Sequence, residues 1–350
     1  MAGFHGLRVR DVEPLCDDAV AVTFDVPQAL EEVFAFRAGQ SLTLRRVIDG
    51  VDHRRSYSIC SAVGERPRIG VREIPDGMFS SWLVHQVRPG DEIEVSPPAG
   101  SWPADPAPGE RHLCIAAGSG ITPMLSVAST ALQHPGAQVS LLYGNRTSHT
   151  VMFAEELADL KNAHGPQVQI VHVLSREPRD VELFSGRLDA DRVRRLLTEL
   201  VPVETFDRIW LCGPLDLVES SRKVLASLGV AAGKIHVELF YVDTPPPQPV
   251  RDSAVLEGVT TELTTVLDGL RSTTAVSRDV AILEGAQATR ADLPFACKGG
   301  VCGTCRAVVR EGEVDMRRNY ALEPAEVDAG FVLTCQSFPV SDVVTVDFDA

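Results

Sequence analysis

Four of the eight cysteines in this 350-residue chain lie close together near its end, and they constrain the fold more than any other feature. Cys297, Cys302 and Cys305 are followed by Cys335 after 29 intervening residues, whereas the other four cysteines are scattered. The opening residues, MAGFHGLRVRDVEP, lack the apolar segment of a secretory signal, so we expect a cytoplasmic protein. In a reducing compartment such a cluster is more often a metal site than a set of disulfides.

The spacing C-x4-C-x2-C, completed by a distant fourth cysteine, is the plant-type spacing of a [2Fe–2S] site. Three thiolates must converge on a small inorganic core, and Gly299, Gly300 and Gly303 let the backbone fold tightly around it. Structural zinc and disulfides are the alternatives. Zinc sites more often use two short C-x-x-C-like pairs, and this segment has one. We therefore predict a [2Fe–2S] cluster held by Cys297, Cys302, Cys305 and Cys335.

Charge and hydropathy narrow the classes of partner. The chain has 33 Lys and Arg against 48 Asp and Glu, a net charge of −15, and its basic runs do not exceed short pairs. Nucleic acid and anionic membrane surfaces attract stripes of positive charge, so we expect neither as a partner. No apolar stretch reaches the roughly 18 residues of a membrane-spanning helix. Hydrophobic residues make up 44% of the chain, enough for several cores.

Proline and glycine divide the sequence into three domains and a linker. Residues 1–105 alternate short apolar runs with turns, which is typical of an antiparallel β-barrel or sandwich. Residues 106–242 alternate strand-like and helical runs, which predicts an α/β domain with a parallel sheet. The segment DTPPPQPV begins a stiff linker at 243–252, and the final domain, 253–350, holds the cysteine cluster.

A [2Fe–2S] cluster carries one electron at a time, whereas a nicotinamide delivers two as a hydride, so a flavin is needed to separate them. Two motifs of the first domain suit FAD. Arg55-Ser56-Tyr57-Ser58 offers an arginine for a pyrophosphate and a tyrosine for the flavin edge, although a barrel strand with polar outer positions has the same pattern. Gly77-Met78-Phe79-Ser80 opens a helix whose amides and serine hydroxyl suit an anion, and an ordinary helix N-cap is the alternative.

Two motifs of the second domain suit a nicotinamide nucleotide. Gly118-Ser119-Gly120-Ile121-Thr122-Pro123 lies between a predicted strand and a predicted helix, the context of a phosphate-binding turn. Cys212-Gly213-Pro214 ends another predicted strand, and open parallel sheets bind ligands beyond the carboxyl ends of their strands. The alternative for Cys212 is a small buried hydrophobic residue.

In this order the motifs resemble the ferredoxin–NADP reductase superfamily over residues 1–242, with a plant-type ferredoxin fused behind them. The segments GSGITPML, YGNRTS, LPFACKGGVCGTC, NYALEP and GFVLTCQS are most similar to oxygenase reductases of the phenylacetyl-CoA epoxidase type. The resemblance implies a multidomain fold, in which an antiparallel β-barrel binds FAD and an α/β parallel-sheet domain binds the nucleotide. It implies an α+β β-grasp fold for the [2Fe–2S] ferredoxin domain.

The resemblance also implies roles for single residues. Arg55, Tyr57 and Ser58 would bind FAD with Gly77–Ser80 at its phosphates, while Gly118–Pro123 and Cys212–Pro214 would hold the nicotinamide nucleotide. Thr122 would touch both cofactors, and Glu238 and Phe240 would close over the flavin. The predicted catalytic residues are Cys212, Tyr57 and Ser58.

The choice between NADPH and NADH depends on positive charge for the 2′-phosphate. Ser175-Arg176 follows a predicted strand and resembles the Ser-Arg pair of NADP-preferring relatives, and Arg146 is a second candidate. Either arginine has the alternative of a solvated surface residue. These residues favour NADPH over NADH.

The implied function is a reductase that passes electrons from NADPH through FAD and the [2Fe–2S] cluster to a separate oxygenase component, as in aerobic phenylacetate catabolism. A reductase of another multicomponent oxygenase, such as a steroid or aromatic-ring hydroxylase, is the alternative, and a carrier subunit without nicotinamide oxidation is a different class. Residues 251–350 carry 9 basic and 16 acidic side chains, a net −7 that predicts docking on a basic partner patch. Cys16, Cys60 and Cys114 have no predicted role.

Overall fold

The computed structural model describes residues 3–100, 105–240 and 259–350. The chain separates into two compact units, with the boundary between Phe240 and Tyr241. The predicted linker, 243–252, lies outside the described residues, as do residues 101–104 of the predicted connector between the first two domains. None of the helices in the described ranges combines the length and apolar character needed to cross a membrane.

An antiparallel barrel forms the first part of the larger unit. Its sheet has the order β4-β3-β6-β1-β2-β5, and a bridge between Ile59 and Ile69 joins the two edge strands. Apolar residues at alternate positions, such as Leu42 and Leu44, fill its interior. Its strands and its one α-helix are β1 (His5–Cys16), β2 (Ala19–Asp25), β3 (Ser41–Ile48), β4 (Val51–Ser58), β5 (Arg68–Arg72), α1 (Met78–His85) and β6 (Glu92–Val95).

The long strand β1 is not among the runs that the sequence pattern singles out. Charged residues occupy most of its outward positions, while Leu7 and Val9 point into the barrel. Because only a few of its twelve residues are buried, its apolar signal is weak even though it pairs with both β2 and β6.

A parallel sheet with order β11-β10-β7-β8-β9 forms the rest of the larger unit. Its first strand, β7, lies in the middle, with β8 on one side and β10 on the other. The chain order therefore reverses between β7 and β10, where doubly wound sheets bind their ligands. The elements are β7 (Arg111–Ala117), α2 (Ile121–Leu132), β8 (Gln138–Asn145), α3 (Ala154–His164), β9 (Val168–Leu174), α4 (Ala190–Glu199), β10 (Arg208–Cys212), α5 (Leu215–Ser227) and β11 (Ile235–Glu238).

The smaller unit is an α+β domain built on a mixed sheet of order β13-β12-β18-β14-β16, in which β12 and β18 are parallel, and a separate two-stranded sheet. The helix expected at Asp279–Glu284 begins three residues later, at Ile282. The elements are β12 (Thr260–Leu267), β13 (Leu270–Ser277), α6 (Ile282–Gln287), β14 (Arg306–Glu311), β15 (Val314–Met316), α7 (Pro324–Asp328), β16 (Phe331–Leu333), β17 (Ser337–Pro339) and β18 (Val343–Asp347). The predicted fold class is confirmed for all three domains.

Candidate cofactor sites

The turn between β7 and α2 is held in place by hydrogen bonds from its own helix and from the next strand. The Tyr143 hydroxyl donates to the Gly118 carbonyl oxygen at 2.9 Å, and the Thr122 hydroxyl donates to the Ser119 carbonyl oxygen at 2.9 Å. The helix begins at Ile121, with Pro123 in its first turn. The free amides of this helix start lie at the sheet's reversal point, as an anion site requires.

Gly120 lies directly against the end of β10. A Cβ on Gly120 would be 2.2 Å from the carbonyl oxygen of Cys212, so only glycine fits there without a shift of the backbone. Cys212 is fully buried, and in the sheet it is paired with Ala116 on β7 and Glu238 on β11. The two motifs predicted to hold the nucleotide are thus adjacent.

The Ser58 hydroxyl, at the end of β4 in the barrel, lies 3.4 Å from both carboxylate oxygens of Glu238 on β11. Burial of the carboxyl group raises the pKa of Glu238 to about 8, although the Ser58 hydrogen bond lowers it. Burial, together with the charge of Glu238, raises the pKa of the Cys212 thiol well above its usual value. Near neutral pH both Cys212 and Glu238 therefore hold their protons.

The residues of the first FAD motif point to two sides of β4. Arg55 is exposed, and its guanidinium donates to the carbonyl oxygen of Arg54 at 2.7 Å. The Tyr57 ring is half-buried, with its centroid 6.3 Å from that of Phe79, and burial raises the pKa of its hydroxyl. Ser56 instead turns to β3, where its hydroxyl lies 2.9 Å from that of Thr43. Of the residues in this motif, Arg55 and Tyr57 thus lie on the side of β4 where a ligand could contact them.

The second FAD motif forms the start of α1, and its serine has a structural part in that turn. The buried Ser80 hydroxyl accepts from the Ile74 amide at 3.0 Å and donates to the Gly77 carbonyl oxygen at 3.1 Å. Phe79 is buried in the barrel core, whereas Met78 is 48% exposed. An anion at this helix start would therefore meet backbone amides, because the serine hydroxyl is already engaged.

The two candidate arginines for a 2′-phosphate lie side by side. Beyond β9, the Arg176 amide donates to the Arg146 carbonyl oxygen at 2.8 Å, which continues the pairing of Ser175 with Asn145. Both arginines follow the carboxyl ends of their strands, and Arg176 is exposed. The positions suit recognition of the ribose end of a nucleotide.

No sequence pattern pointed to Asp18, which lies between β1 and β2 and reaches across to the nucleotide domain. Its carboxylate is 2.8 Å from the guanidinium of Arg146 and 3.1 Å from that of Arg72. Partial burial would raise the pKa of Asp18, but the charge of Arg72, helped by Cys16 and Arg146, holds it below the usual value. Asp18 and Arg146 are 128 residues apart, so no local pattern relates them.

Thr122 joins the barrel to the nucleotide domain. A Cβ on Gly70 of β5 would lie 2.5 Å from the Thr122 methyl group and 2.7 Å from the Phe153 ring. The absence of a side chain at Gly70 therefore lets the two domains pack directly. Phe240, the last described residue of this unit, packs against the same core as Cys212.

In the smaller unit the four predicted cluster cysteines come together as two pairs. A hydrogen bond from Cys302 and backbone amides, including that of Gly299 at 3.3 Å, lower the pKa of Cys297 to about 5. In the other pair, a hydrogen bond from Cys305 lowers the pKa of Cys335. Across residues 3–100, 105–240 and 259–350, no three His, Cys, Asp or Glu side chains are arranged around one metal ion. Two pairs of thiols instead match a [2Fe–2S] cluster, in which each iron takes two cysteines.

The surrounding loops fix these sulfurs. Gly300 has φ +82°, and the Tyr320 amide donates to its carbonyl oxygen at 3.1 Å. The Gln336 side-chain amide donates to the Lys298 carbonyl oxygen at 2.9 Å, and the Thr334 hydroxyl donates to that of Cys305 at 2.9 Å. Elsewhere, Cys60 and Cys114 are buried in the larger unit and Cys16 is half-buried, and all eight cysteines are free thiols.

Three domain families match the chain in sequence. Residues 6–103 match the family described as Oxidoreductase FAD-binding domain, and residues 114–223 match Oxidoreductase NAD-binding domain. Residues 265–340 match the family described as 2Fe-2S iron-sulfur cluster binding domain. FAD, NAD(P) and [2Fe–2S] are therefore the cofactor classes of this chain.

Two relatives match over nearly the whole chain. One of the subunits of 1,2-phenylacetyl-CoA epoxidase from Escherichia coli (strain K12) is 41% identical over 355 residues, covering 100% of this chain and 99% of the relative. The ferredoxin reductase component of 3-ketosteroid-9-alpha-monooxygenase from Rhodococcus rhodochrous is 32% identical over 352 residues, covering 98% of this chain and 96% of the relative.

Solved structures show the same folds. Phthalate dioxygenase reductase, described as a modular structure for electron transfer from pyridine nucleotides to [2Fe-2S], matches with a TM-score of 0.61. It is 24% identical and covers 99% of this chain and 98% of its own, so the likeness concerns the fold. The Amycolatopsis cytochrome P450 reductase GcoB is 27% identical, covers 69% of this chain and 71% of its own, and has a TM-score of 0.57.

Proposed function

The chain belongs to the ferredoxin–NADP reductase superfamily, with a plant-type [2Fe–2S] ferredoxin domain in the same polypeptide, and from this we propose that it is the NADPH-dependent reductase component of the phenylacetyl-CoA epoxidase system. The observation that carries the electron-transfer part is the meeting of three segments at one point. Gly120 packs on Cys212, and Cys212 is paired in the sheet with Glu238, whose carboxylate faces Ser58 of the barrel. A nucleotide bound at Gly120 and Cys212 would therefore reach a flavin bound beside Ser58.

The protein supplies position and protons at this point. The amides at the start of α2 would bind the nucleotide phosphates, and the neutral Cys212 thiol, being small and fully buried, would leave a flat apolar floor for the nicotinamide. Ser58 would orient the Glu238 carboxyl, which holds a proton at neutral pH near the flavin edge. FAD, when bound, would supply the chemistry that separates the two electrons of a hydride into single electrons.

NADPH is the proposed donor. Arg176 is exposed beyond β9, and its neighbour Arg146, which pairs with Asp18, lies beyond β8. The Arg176 guanidinium, with the partly offset charge of Arg146 beside it, would meet the 2′-phosphate that NADH lacks. In steady-state assays with cytochrome c as acceptor, Arg176→Glu should raise the KM for NADPH far more than the KM for NADH. Equal effects on the two nucleotides would overturn this assignment.

The proposed acceptor is the oxygenase component of phenylacetyl-CoA epoxidase. The support is the 41% identity over the full chain, compared with 32% for the steroid monooxygenase reductase. The decisive experiment mixes the purified chain, NADPH and either oxygenase component with its own substrate. We expect epoxide formation from phenylacetyl-CoA, whereas steroid hydroxylation in its place would favour the steroid monooxygenase system.

The carrier-subunit alternative is tested with the chain alone. Lack of NADPH-driven cytochrome c reduction by the purified chain would indicate a carrier subunit instead.

We also propose that the protein works in the cytoplasm. Its cluster requires four reduced cysteines, and none of its eight cysteines forms a disulfide, both of which suit a reducing compartment. Fractionation of cells that produce the tagged full-length chain tests this directly. Recovery in an oxidising compartment would contradict it.

A further inference from the structure

The face of β4 that carries the predicted flavin residues continues beyond them. Arg55 and Tyr57 share one face of the strand, and because alternate residues of a strand lie on the same face, His53 lies on it as well. Strands β3 and β4 pair without a register shift, and Arg46 lies directly opposite His53. Side chains from both strands therefore form one continuous row. We call Tyr57, Arg55, His53 and Arg46 the flavin row.

The flavin row runs away from the nucleotide domain. Ser58, at one end of β4, faces Glu238 of the parallel sheet, whereas His53 lies five residues back along the strand, a distance of about 17 Å. An FAD molecule has a matching direction, because its isoalloxazine must face the nicotinamide while its pyrophosphate and adenosine extend away from the ring. With the isoalloxazine at Tyr57 and a phosphate at Arg55, the adenosine would reach the outer end of the row.

Helix α1 lies along the same row. The centroid of the Phe79 ring is 6.3 Å from that of Tyr57, and three residues later the Trp82 ring meets Phe79 edge-on, with 5.5 Å between the ring centroids. The Arg46 guanidinium lies over the Trp82 ring, and its central carbon is 4.5 Å from the ring centre. The outer end of the flavin row is therefore a guanidinium that lies over an indole.

The pair formed by Arg46 and Trp82 is available to a ligand. In the part of the chain that the structure describes, the Arg46 guanidinium forms neither a hydrogen bond nor an ion pair, and both side chains are partly exposed. The next residue along β3 differs in this respect, because the Arg45 guanidinium lies 3.1 Å from the carboxylate of Asp52 and 3.6 Å from that of Glu94. The Trp82 ring thus orients a guanidinium whose hydrogen-bonding groups are not occupied by a protein partner.

We propose that Arg46 and Trp82 form the adenine subsite of the flavin site and thereby select FAD over FMN. Nucleic-acid bases stack on guanidinium planes and on aromatic rings, and this pair presents both groups together. FMN ends at its first phosphate, so it would occupy the flavin row from Tyr57 to Arg55 and leave the pair without a ligand. The inference goes beyond the proposed function, since it depends on the FAD-binding family that residues 6–103 match and on neither the electron donor nor the acceptor.

Selection between the two flavins is measured by competition on the purified full-length protein. The holoprotein is equilibrated at nanomolar concentration with known mixtures of FAD and FMN and is then separated from free flavin. The bound flavins are released by heat and identified by chromatography, which gives the Kd for FMN divided by the Kd for FAD. We expect the wild type to favour FAD, and a wild type that binds FMN as tightly as FAD would overturn the proposal.

Loss of either member of the pair should lower this preference for FAD. Trp82→Leu, which keeps apolar bulk against the barrel core, should lower it about tenfold, and Arg46→Gln should lower it about threefold or more. Trp82→Phe, which keeps an aromatic ring, should retain most of the preference. Arg45→Gln is the matched control, because it removes an arginine from the next position of the same strand, and it should leave the preference unchanged.

The ratio of the two Kd values separates loss of the adenine subsite from damage to the barrel. A variant with a disturbed barrel binds both flavins more weakly, so its ratio stays at the wild-type value, and this result for both Trp82→Leu and Arg46→Gln would contradict the proposal. An equal loss of preference from Trp82→Leu and Trp82→Phe would also contradict it, because stacking requires a ring. The assay contains neither NADPH nor an oxygenase, so failure of the proposed function would not change its outcome.

Discussion

The hydroxyl of Ser58 lies 3.4 Å from both oxygens of the Glu238 carboxylate, although 180 residues separate the two in the chain. One belongs to the last residue of a barrel strand, and the other to the last strand of the parallel sheet. Burial makes the carboxyl group a weak acid with a pKa of about 8. The contact therefore places a protonated acid where two domains meet.

This elevated pKa makes stability depend on pH. Because the pKa of Glu238 is raised on folding, the unfolded chain releases its proton from about pH 4.5 upward, while the folded protein keeps it until about pH 8. Glu238 should thus cost the wild type roughly 3–5 kcal/mol of unfolding free energy as the pH rises through this window. Urea unfolding of the wild type and Glu238→Gln at pH 5 and pH 9 measures the difference. Ser58→Ala should extend this pH window upward, because the Ser58 hydrogen bond lowers the pKa of Glu238. A difference in unfolding free energy between the wild type and Glu238→Gln that does not change with pH would contradict the assignment.

The contact between Gly120 and Cys212 predicts a specific loss of nucleotide binding. A Cβ at residue 120 would lie 2.2 Å from the Cys212 carbonyl oxygen, so Gly120→Ala must displace the predicted phosphate-binding turn or the end of β10. We expect the Kd for NADP⁺ to rise at least about tenfold while FAD content stays normal. Titration of the flavin spectrum with NADP⁺ gives the Kd. Gly233→Ala is the matched control, because a Cβ there has no atom within 4 Å, and it should bind the nucleotide normally.

The ion pair between Asp18 and Arg146 predicts an effect on nucleotide preference. Asp18 shares its charge between Arg72 and Arg146, so it reduces the positive charge that Arg146 presents to a 2′-phosphate. Asp18→Asn should therefore lower the KM for NADPH by about threefold and leave the KM for NADH unchanged. In the double variant Asp18→Asn with Arg146→Gln, the KM for NADPH should no longer be lowered. If the KM for NADPH is still lowered in that variant, Arg146 is not the group whose charge Asp18 offsets.

A buried histidine predicts loss of stability in mild acid. His112 on β7 is fully buried, and its Nδ1 accepts a hydrogen bond from the Trp210 indole at 3.2 Å. Burial lowers its pKa to about 4. The unfolded chain therefore binds a proton at this position below about pH 6.5, whereas the folded protein does not bind it until the pH approaches 4. The wild type should lose up to roughly 3 kcal/mol between pH 6.5 and pH 4.

Thermal or urea unfolding across that pH range compares the wild type with His112→Gln. The variant should be less stable at pH 7, since it loses packing against Trp210, yet its stability should fall less steeply toward pH 4. His149→Gln, a change at an exposed position, is the control and should follow the wild-type slope. Parallel curves for all three proteins would show that His112 does not titrate on unfolding.

Two details of the structure were not visible in the sequence pattern. The strand β1 gave too little apolar signal because its outward positions are charged. The Ser80 hydroxyl, expected to bind an anion, closes the first turn of α1, because it lies within reach of the Ile74 amide and the Gly77 carbonyl oxygen. In the first case the strand forms because it pairs with neighbouring strands, and in the second the hydroxyl is bound by a turn that folds back onto it. The order of residues in the sequence shows neither contact.

Features whose parts lie near one another in the chain could be predicted from the residues alone. Three of the four predicted cluster cysteines fall within nine residues, and the glycine-rich turn joins a strand directly to its helix, so spacing and period were enough to predict both. The contacts between distant groups, in contrast, depend on the folded arrangement of the domains. Ser58 and Glu238, or Asp18 and Arg146, become neighbours because the barrel packs against the carboxyl ends of the parallel strands, and burial there changes the pKa of Glu238 in a way that no local segment could.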